Sequence, residues 1–245
     1  VTVAGRELPP TSRFAGDDGT ADPRVAAVLA DHAAGRADVA DVVAALVGVR
    51  VLAPVLAELE ATETVVHDGR EHTVDKEASA GIVALQAPDG RTALPVFTSV
   101  DAMRAWRPDA RPVPTDVPRA ALSAVSEGWE LVVVDPGGPV TVLVPRPAVW
   151  ALAQGAAWEP AVRGGAVAAD VRDAVAGAGR GIAAVVSADA VPGTRAEVAV
   201  VLTLVPGLDR AGLDGVLARV NAALASDETI ARRVDSLELR LRTAG

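Results

Sequence analysis

The chain has 245 residues, half of them apolar, with no cysteine and a formal net charge of −9. That length holds one large domain or two of ordinary size, each with a real core. Without cysteine there is no disulfide, thiolate catalysis or Cys-held metal centre, and with cations scattered among acids, direct binding to nucleic acid or to an anionic membrane is disfavoured.

Residues 1–21 lack periodicity and hold Pro, Gly, Asp and Arg, so they read as an N-terminal arm laid across a domain surface. Asp22 then offers an N-cap, with Pro23 at the first helical position. Val25, Val28, Leu29 and His32 share one face of that helix, and Gly35 closes it. A second helix from Asp38 turns Val39, Val42, Val43, Leu46 and Val47 inward and stops at Gly48. Arg50 to Leu56 reads as a strand that Pro54 confines to an edge or a bulge. The longest apolar run, Val39 to Leu59, is broken by Asp41, Gly48, Arg50, Pro54 and Glu58, so no transmembrane helix is expected. No basic n-region with an apolar h-region is visible either, and a cytoplasmic location is expected.

Glu58 to Ser79 fits an exposed hairpin around Asp68-Gly69, or a loop. Ala80 to Gln86 and Thr92 to Phe97 read as two strands joined by the turn Pro88-Asp89-Gly90. Thr98 and Ser99 open a helix with Val100, Met103 and Trp106 inside, and the Thr98/Asp101 spacing is that of a capping box. Ser99 itself reads as a cap. Arg111 to Thr115 is extended. Pro118 starts a helix with Leu122 and Val125 buried and Gly128 as its stop. Glu130 to Val134 and Val140 to Val144 flank the turn Asp135-Pro136-Gly137-Gly138-Pro139. A helix over Arg146 to Gln154 follows.

Gly155 to Gly165 reads as a linker, dividing the arm and a domain over 22–154 from a second domain over 166–245. That second domain reads as helix (Ala166 to Ala176), strand (Ile182 to Ser187), turn (Pro192-Gly193) and strand (Glu197 to Leu204). A long helix from Asp209, a short helix capped by Asp227 and a strand over Leu237 to Leu241 complete it. Aromatics are 2% of the chain and tyrosine is absent, so the cores are built from Ala and Val. Mixed elements with tight hairpins in both halves predict an α+β (mixed α/β) protein: two small mixed or antiparallel sheets, each packed with helices.

Ala93-Leu94-Pro95-Val96-Phe97-Thr98-Ser99 followed by Trp106 resembles the signature of SseB (enhanced serine sensitivity protein B) N-terminal domains. Asp75-Lys76-Glu77-Ala78 and the run Gly128 to Pro136 with its Gly138-Pro139 turn are similar to the same family. Arg6-Glu7-Leu8-Pro9-Pro10, Phe14 to Gly19, Ala225 to Glu228 and Arg233 to Leu239 resemble its actinobacterial members. The resemblance implies a two-domain α/β protein of bacterial cytoplasm. It carries over no catalytic residue, and the serine-sensitivity name describes a phenotype, not a reaction.

Other constellations have plainer readings. His67-Asp68-Gly69-Arg70-Glu71-His72 with Asp75 holds zinc-ligand types, but a solvated hairpin is preferred to a site needing four fixed ligands. His32 lacks a nucleophile and an orienting acid. Gly177 to Gly181 follows a helix, whereas a phosphate loop precedes one. Asp17-Asp18-Gly19 with Asp22 reads as a turn and not as a calcium loop.

Phe97, Trp106, Trp129 and Trp150 are large anchors in a small-residue core, and become hot spots if exposed. The binding surface expected from the sequence is Phe97, Ser99, Trp106, Trp129, Asp135, Pro136, Gly138 and Pro139, with no catalytic residue, metal ligand or cofactor. The expected function is non-enzymatic protein binding or regulation, the partner being another protein. The alternatives are an enzyme of amino-acid metabolism built from Asp, Glu, Arg and His32, and an accessory factor of translation acting through protein contacts.

Overall fold

A computed structural model describes residues 13–57, 65–67, 70–72, 80–87 and 89–245. Asp22 caps α1 (Pro23–Ala33) by accepting the Arg24 N–H, and Pro23 sits in its first turn. A reciprocal capping box of Asp38 and Asp41 opens α2 (Val39–Leu46). Next come β1 (Arg50–Ala57), the hairpin β2 (Val65–His67) and β3 (Arg70–His72), then β4 (Ala80–Ile82), β5 (Leu85–Gln86) and β6 (Thr92–Val96). The chain continues through α3 (Val100–Trp106), β7 (Arg111–Asp116), α4 (Val117–Ser126), β8 (Leu131–Val134), β9 (Val142–Val144) and α5 (Arg146–Ala153). The second half holds the two-residue pair β10 (Val162–Arg163) and β11 (Ala166–Val167), then α6 (Ala169–Gly179), β12 (Val185–Pro192) and β13 (Val198–Leu204). It ends with α7 (Arg210–Ser226), α8 (Glu228–Arg233) and β14 (Leu237–Thr243).

The chain is α+β, with small sheets that are antiparallel or mixed. One sheet has the order β4-β1-β7 and is antiparallel. A second has the order β5-β6-β8-β9, with β6 and β8 parallel. The two are stitched by one bridge between Leu52 and Phe97. In the second half the order is β12-β13-β14, with β13 and β14 parallel.

Helices α1, α2, α4 and α5 cover one face of β6, β8 and β9, burying Leu94, Val96, Val132, Val134, Val142 and Val144. A separate apolar cluster lies between α6, α7 and α8 and the second-half sheet, around Val171, Val175, Val200, Leu202, Val216 and Val220.

Several expectations need correction. Pro54 does not confine β1 to an edge, because β1 lies between β4 and β7. Leu52 exchanges both backbone hydrogen bonds with Phe97, so Pro54, two residues on, turns its missing donor to that same side. There it falls between the Phe97 bridge and the β4 pairing that begins at Val55, and no ladder bond is lost. The run from Ala80 to Gln86 is two strands in different sheets. Leu122 is 53% exposed, and α4 buries Val117, Ala120, Ala121 and Ala124 instead, because α4 packs against α5 on small side chains. The helix expected at Ala166 begins at Ala169, since Ala166 and Val167 pair with Arg163 and Val162. The strand expected at Ile182 begins at Val185, after a turn in which the Val185 N–H bonds Ile182 O at 2.8 Å.

The arm residues 13–20 are tied to the first half: Arg13 pairs with Asp116 at 2.6 Å, Asp17 pairs with Arg50, and Val100 N–H bonds Gly19 O at 2.9 Å. The residues Arg6 to Pro10, the Asp68-Gly69 turn and the motif at Asp75 to Ala78 lie outside the described residues, as do the side chains of His67 and His72.

Candidate functional site

Parallel β6 and β8 end side by side, and the chain leaves them at Phe97 and Asp135. Asp135 is the one non-glycine residue with positive φ (48°) among the described residues. That conformation lets its N–H bond Val96 O at 2.9 Å while its carboxylate turns back over the next strand end. There it accepts from the Thr98 N–H (2.8 Å) and the Thr98 hydroxyl (2.7 Å). Thr98 is therefore not a helix cap; Ser99 caps α3, accepting the Ala102 N–H at 3.1 Å. Burial pushes the Asp135 carboxyl above its ordinary range, against the opposing pull of the two Thr98 bonds.

Pro136 and Gly137 form the corner of a turn closed by Gly138 N–H to Asp135 O at 3.1 Å. Gly137 has φ 73°, and a side chain there would meet the Trp106 ring at 3.5 Å. Trp106 in turn lies 5.2 Å from the Phe97 ring, between centroids. The structure thus brings together Phe97, Ser99, Trp106, Asp135, Pro136, Gly138 and Pro139. Phe97, Asp135 and Pro136 are buried, and Pro139 is exposed. Trp129 is not among them: it precedes β8, whereas Asp135 follows it, and it packs on the main core. Six extended residues separate the two by about 20 Å.

His32 has no part in this cluster. It donates its Nδ1 proton to Ala37 O at 2.9 Å and closes the loop after α1.

A larger concavity lies elsewhere. A cleft of about 700 Å³ opens between α5 and α8, with the chain after α5 and the start of α6 as its other walls. Trp150 on α5, read from the sequence as a core anchor, is 47% exposed and lines it with Pro147 and Ala151. Opposite stand Arg232 and Arg233 of α8. The Arg233 guanidinium pairs with Asp170 at 2.5 Å and Glu159 at 3.4 Å, and donates to Pro160 O at 3.3 Å.

Two buried side-chain nitrogens lack an acceptor among the described residues, Trp158 Nε1 and Arg233 Nε, and both residues line this cleft. Sequence reasoning missed it because its walls come from four elements. The legible signal was the pair Trp150 and Trp158 straddling Gly155.

Beside the cleft the two halves are fastened. Arg91, before β6, donates to both carboxylate oxygens of Asp235, at 2.8 and 3.0 Å. The Arg146 N–H reaches Asp235 at 3.1 Å, and the Arg146 guanidinium donates to Val234 O at 3.2 Å. Glu197 accepts the Asp235 N–H at 2.8 Å, and burial pushes its carboxyl upward. Neither raised carboxyl, Asp135 or Glu197, lines the cleft.

No described helix is long and apolar enough to cross a membrane. Comparison with curated proteins and with solved structures returns no match. The family described as SseB protein N-terminal domain matches residues 25–151, more than half of the chain and all of the β6–α3–β8 cluster just described. On that match, the chain belongs to the SseB family.

Proposed function

We propose that this SseB-family chain is a non-enzymatic, cytoplasmic binding protein whose partner is another protein. The α5–α8 cleft is the surface that receives it. The carrying observation is the cleft itself, about 700 Å³ with the half-exposed ring of Trp150 on one wall and Arg232 and Arg233 on the other. A peptide segment offers such a cleft an apolar side chain for Trp150 and carbonyl oxygens for the exposed Arg232. Binding is favoured over proton transfer because the burial-raised carboxyls lie outside the cleft and are engaged by backbone or Thr98 donors.

The accessible remainder of the aromatic surface, half-buried Trp106 with Gly138 and Pro139, is a second contact for the same partner. We also assign units over 22–154 and 166–245 joined through 155–165, supported by two separate apolar clusters. The second unit is read as the C-terminal domain of the actinobacterial branch, on the Arg233 to Leu239 motif.

A random peptide library panned against the full chain tests the reading. Enriched peptides should share an apolar anchor, and Trp150→Ala should weaken them at least tenfold with circular dichroism unchanged. Trp106→Ala in the same assay reports whether the second contact takes part. Failure to enrich any sequence, or peptides that bind Trp150→Ala as tightly as the original chain, would overturn it.

A further inference from the structure

β14 is the last strand of the order β12-β13-β14, so one of its edges faces away from the sheet. The direction of each backbone group follows from two bonds to β13. Val198 N–H donates to Ser236 O at 3.2 Å, and Ala244 N–H donates to Leu204 O at 2.8 Å. Even-numbered residues of β14 therefore turn N–H and C=O toward β13, and Leu237, Leu239, Leu241 and Thr243 turn theirs outward. No backbone partner meets them among the described residues.

The side chains along this edge are self-complementary. Leu237-Glu238-Leu239-Arg240-Leu241 reads the same from either end in apolar character, with the acid and the base exchanged. We propose that β14 pairs antiparallel with β14 of a second copy of this chain, about a two-fold axis at Leu239. That register sets Leu239 against the partner subunit's Leu239, and Leu237 against the partner subunit's Leu241. All of these are outward-directed residues, so each pair exchanges two hydrogen bonds. Glu238, which already accepts from Thr194, Arg195 and Arg240 of its own chain, falls opposite the partner subunit's Arg240 in the closer, non-hydrogen-bonded position, so the crossing adds no like-charge pair.

Neighbouring registers fail. An axis at Glu238 or at Arg240 opposes like charges. An axis between residues sets outward backbone groups against inward ones. The pairing also completes an unfinished core. Leu237 and Leu239 are only partly buried, together with Leu213 and Leu217 of α7, and Leu241 is 46% exposed. Sheet extension into six strands covers that strip from both subunits, as an isologous interface requires.

Sedimentation equilibrium of the full chain tests this. The expected mass is twice 24.8 kDa. Leu241→Lys, at a half-exposed position, should raise the dissociation constant about a hundredfold, because the two-fold axis counts each change twice. Leu239→Pro, which deletes the outward N–H on the axis and leaves the bonds to β13 in place, should do the same, so the test survives if either variant folds poorly. Amide exchange at Leu237, Leu239 and Leu241 should slow as concentration rises. A chain that stays monomeric at about 100 μM overturns the proposal. So does a dimer indifferent to both variants, or one in which those three amides exchange freely.

Discussion

Asp135 is held in place by two features that oppose each other. Its left-handed backbone conformation and its buried carboxylate both cost free energy, and its contacts with Thr98 and Val96 hold the ends of β6 and β8 together. Asp135→Ala keeps the backbone cost and strands both Thr98 donors, so a loss of about 2–4 kcal/mol is expected in urea denaturation. Asp135→Asn keeps an acceptor for the Thr98 N–H and tolerates positive φ, so it should cost less. The sign of the pH dependence follows from the raised carboxyl. Its stabilising contribution is full below the unfolded value of 3.8 and is lost as pH rises through the folded value. The asparagine variant lacks that loss, so its stability relative to the original chain should improve as pH rises above the unfolded value of 3.8. An unchanged difference across that range would mean that the carboxyl titrates as it does in the unfolded chain.

The strands and helices show where small residues and prolines have local jobs. On edge strand β7, Pro112 and Pro114 lie opposite Pro54 and Leu52. Leu52 bonds toward Phe97 and away from β7, so both prolines turn their missing donors to the open edge. An edge without those donors resists pairing with stray strands. On α6 two glycines differ in role. A methyl group at Gly179 would sit 2.9 Å from Ala188 Cβ, whereas nothing lies within 4 Å of one at Gly177. Gly179→Ala should therefore destabilise by about 1–3 kcal/mol through overpacking. Gly177→Ala should stabilise by up to about 1 kcal/mol through helix propensity. Thermal denaturation of the pair checks both signs at once.

At the scale of the whole molecule, two apolar clusters are fastened through Asp235. Its carboxylate takes both Arg91 donors and the Arg146 N–H, with only 12% of its side chain exposed. Arg91→Ala leaves that carboxylate with one backbone donor, and a cost of about 1–3 kcal/mol is expected. A double-mutant cycle with Asp235→Ala should return a coupling of about 1–2 kcal/mol. If the fastening joins the halves, calorimetry of Arg91→Ala should resolve two transitions where the original chain shows one. A single transition at unchanged temperature would assign the pair to surface decoration. The same fastening sits beside the α5–α8 cleft, so Arg91→Ala should also weaken peptides that depend on Trp150.

The amino-acid sequence by itself determined the local features. Asp22 and Asp227 cap their helices as expected, and the helices expected from Asp38 and Asp209 open there with those residues as caps, because a cap needs only its own next three residues. The Asp135 to Pro139 turn and the stop at Gly128 (φ 72°) were legible for the same reason. So was family membership, carried by contiguous motifs within residues 25–151. Only the tertiary structure decided what depends on partners distant in sequence. It placed Pro54 in a central strand, turned Leu122 and Trp150 to the surface, and gave Thr98 to Asp135. It also assembled the cleft from α5, α6, α8 and the segment between α5 and α6. Burial and edge position are relations between elements, and periodicity along one element names a face without naming what covers it.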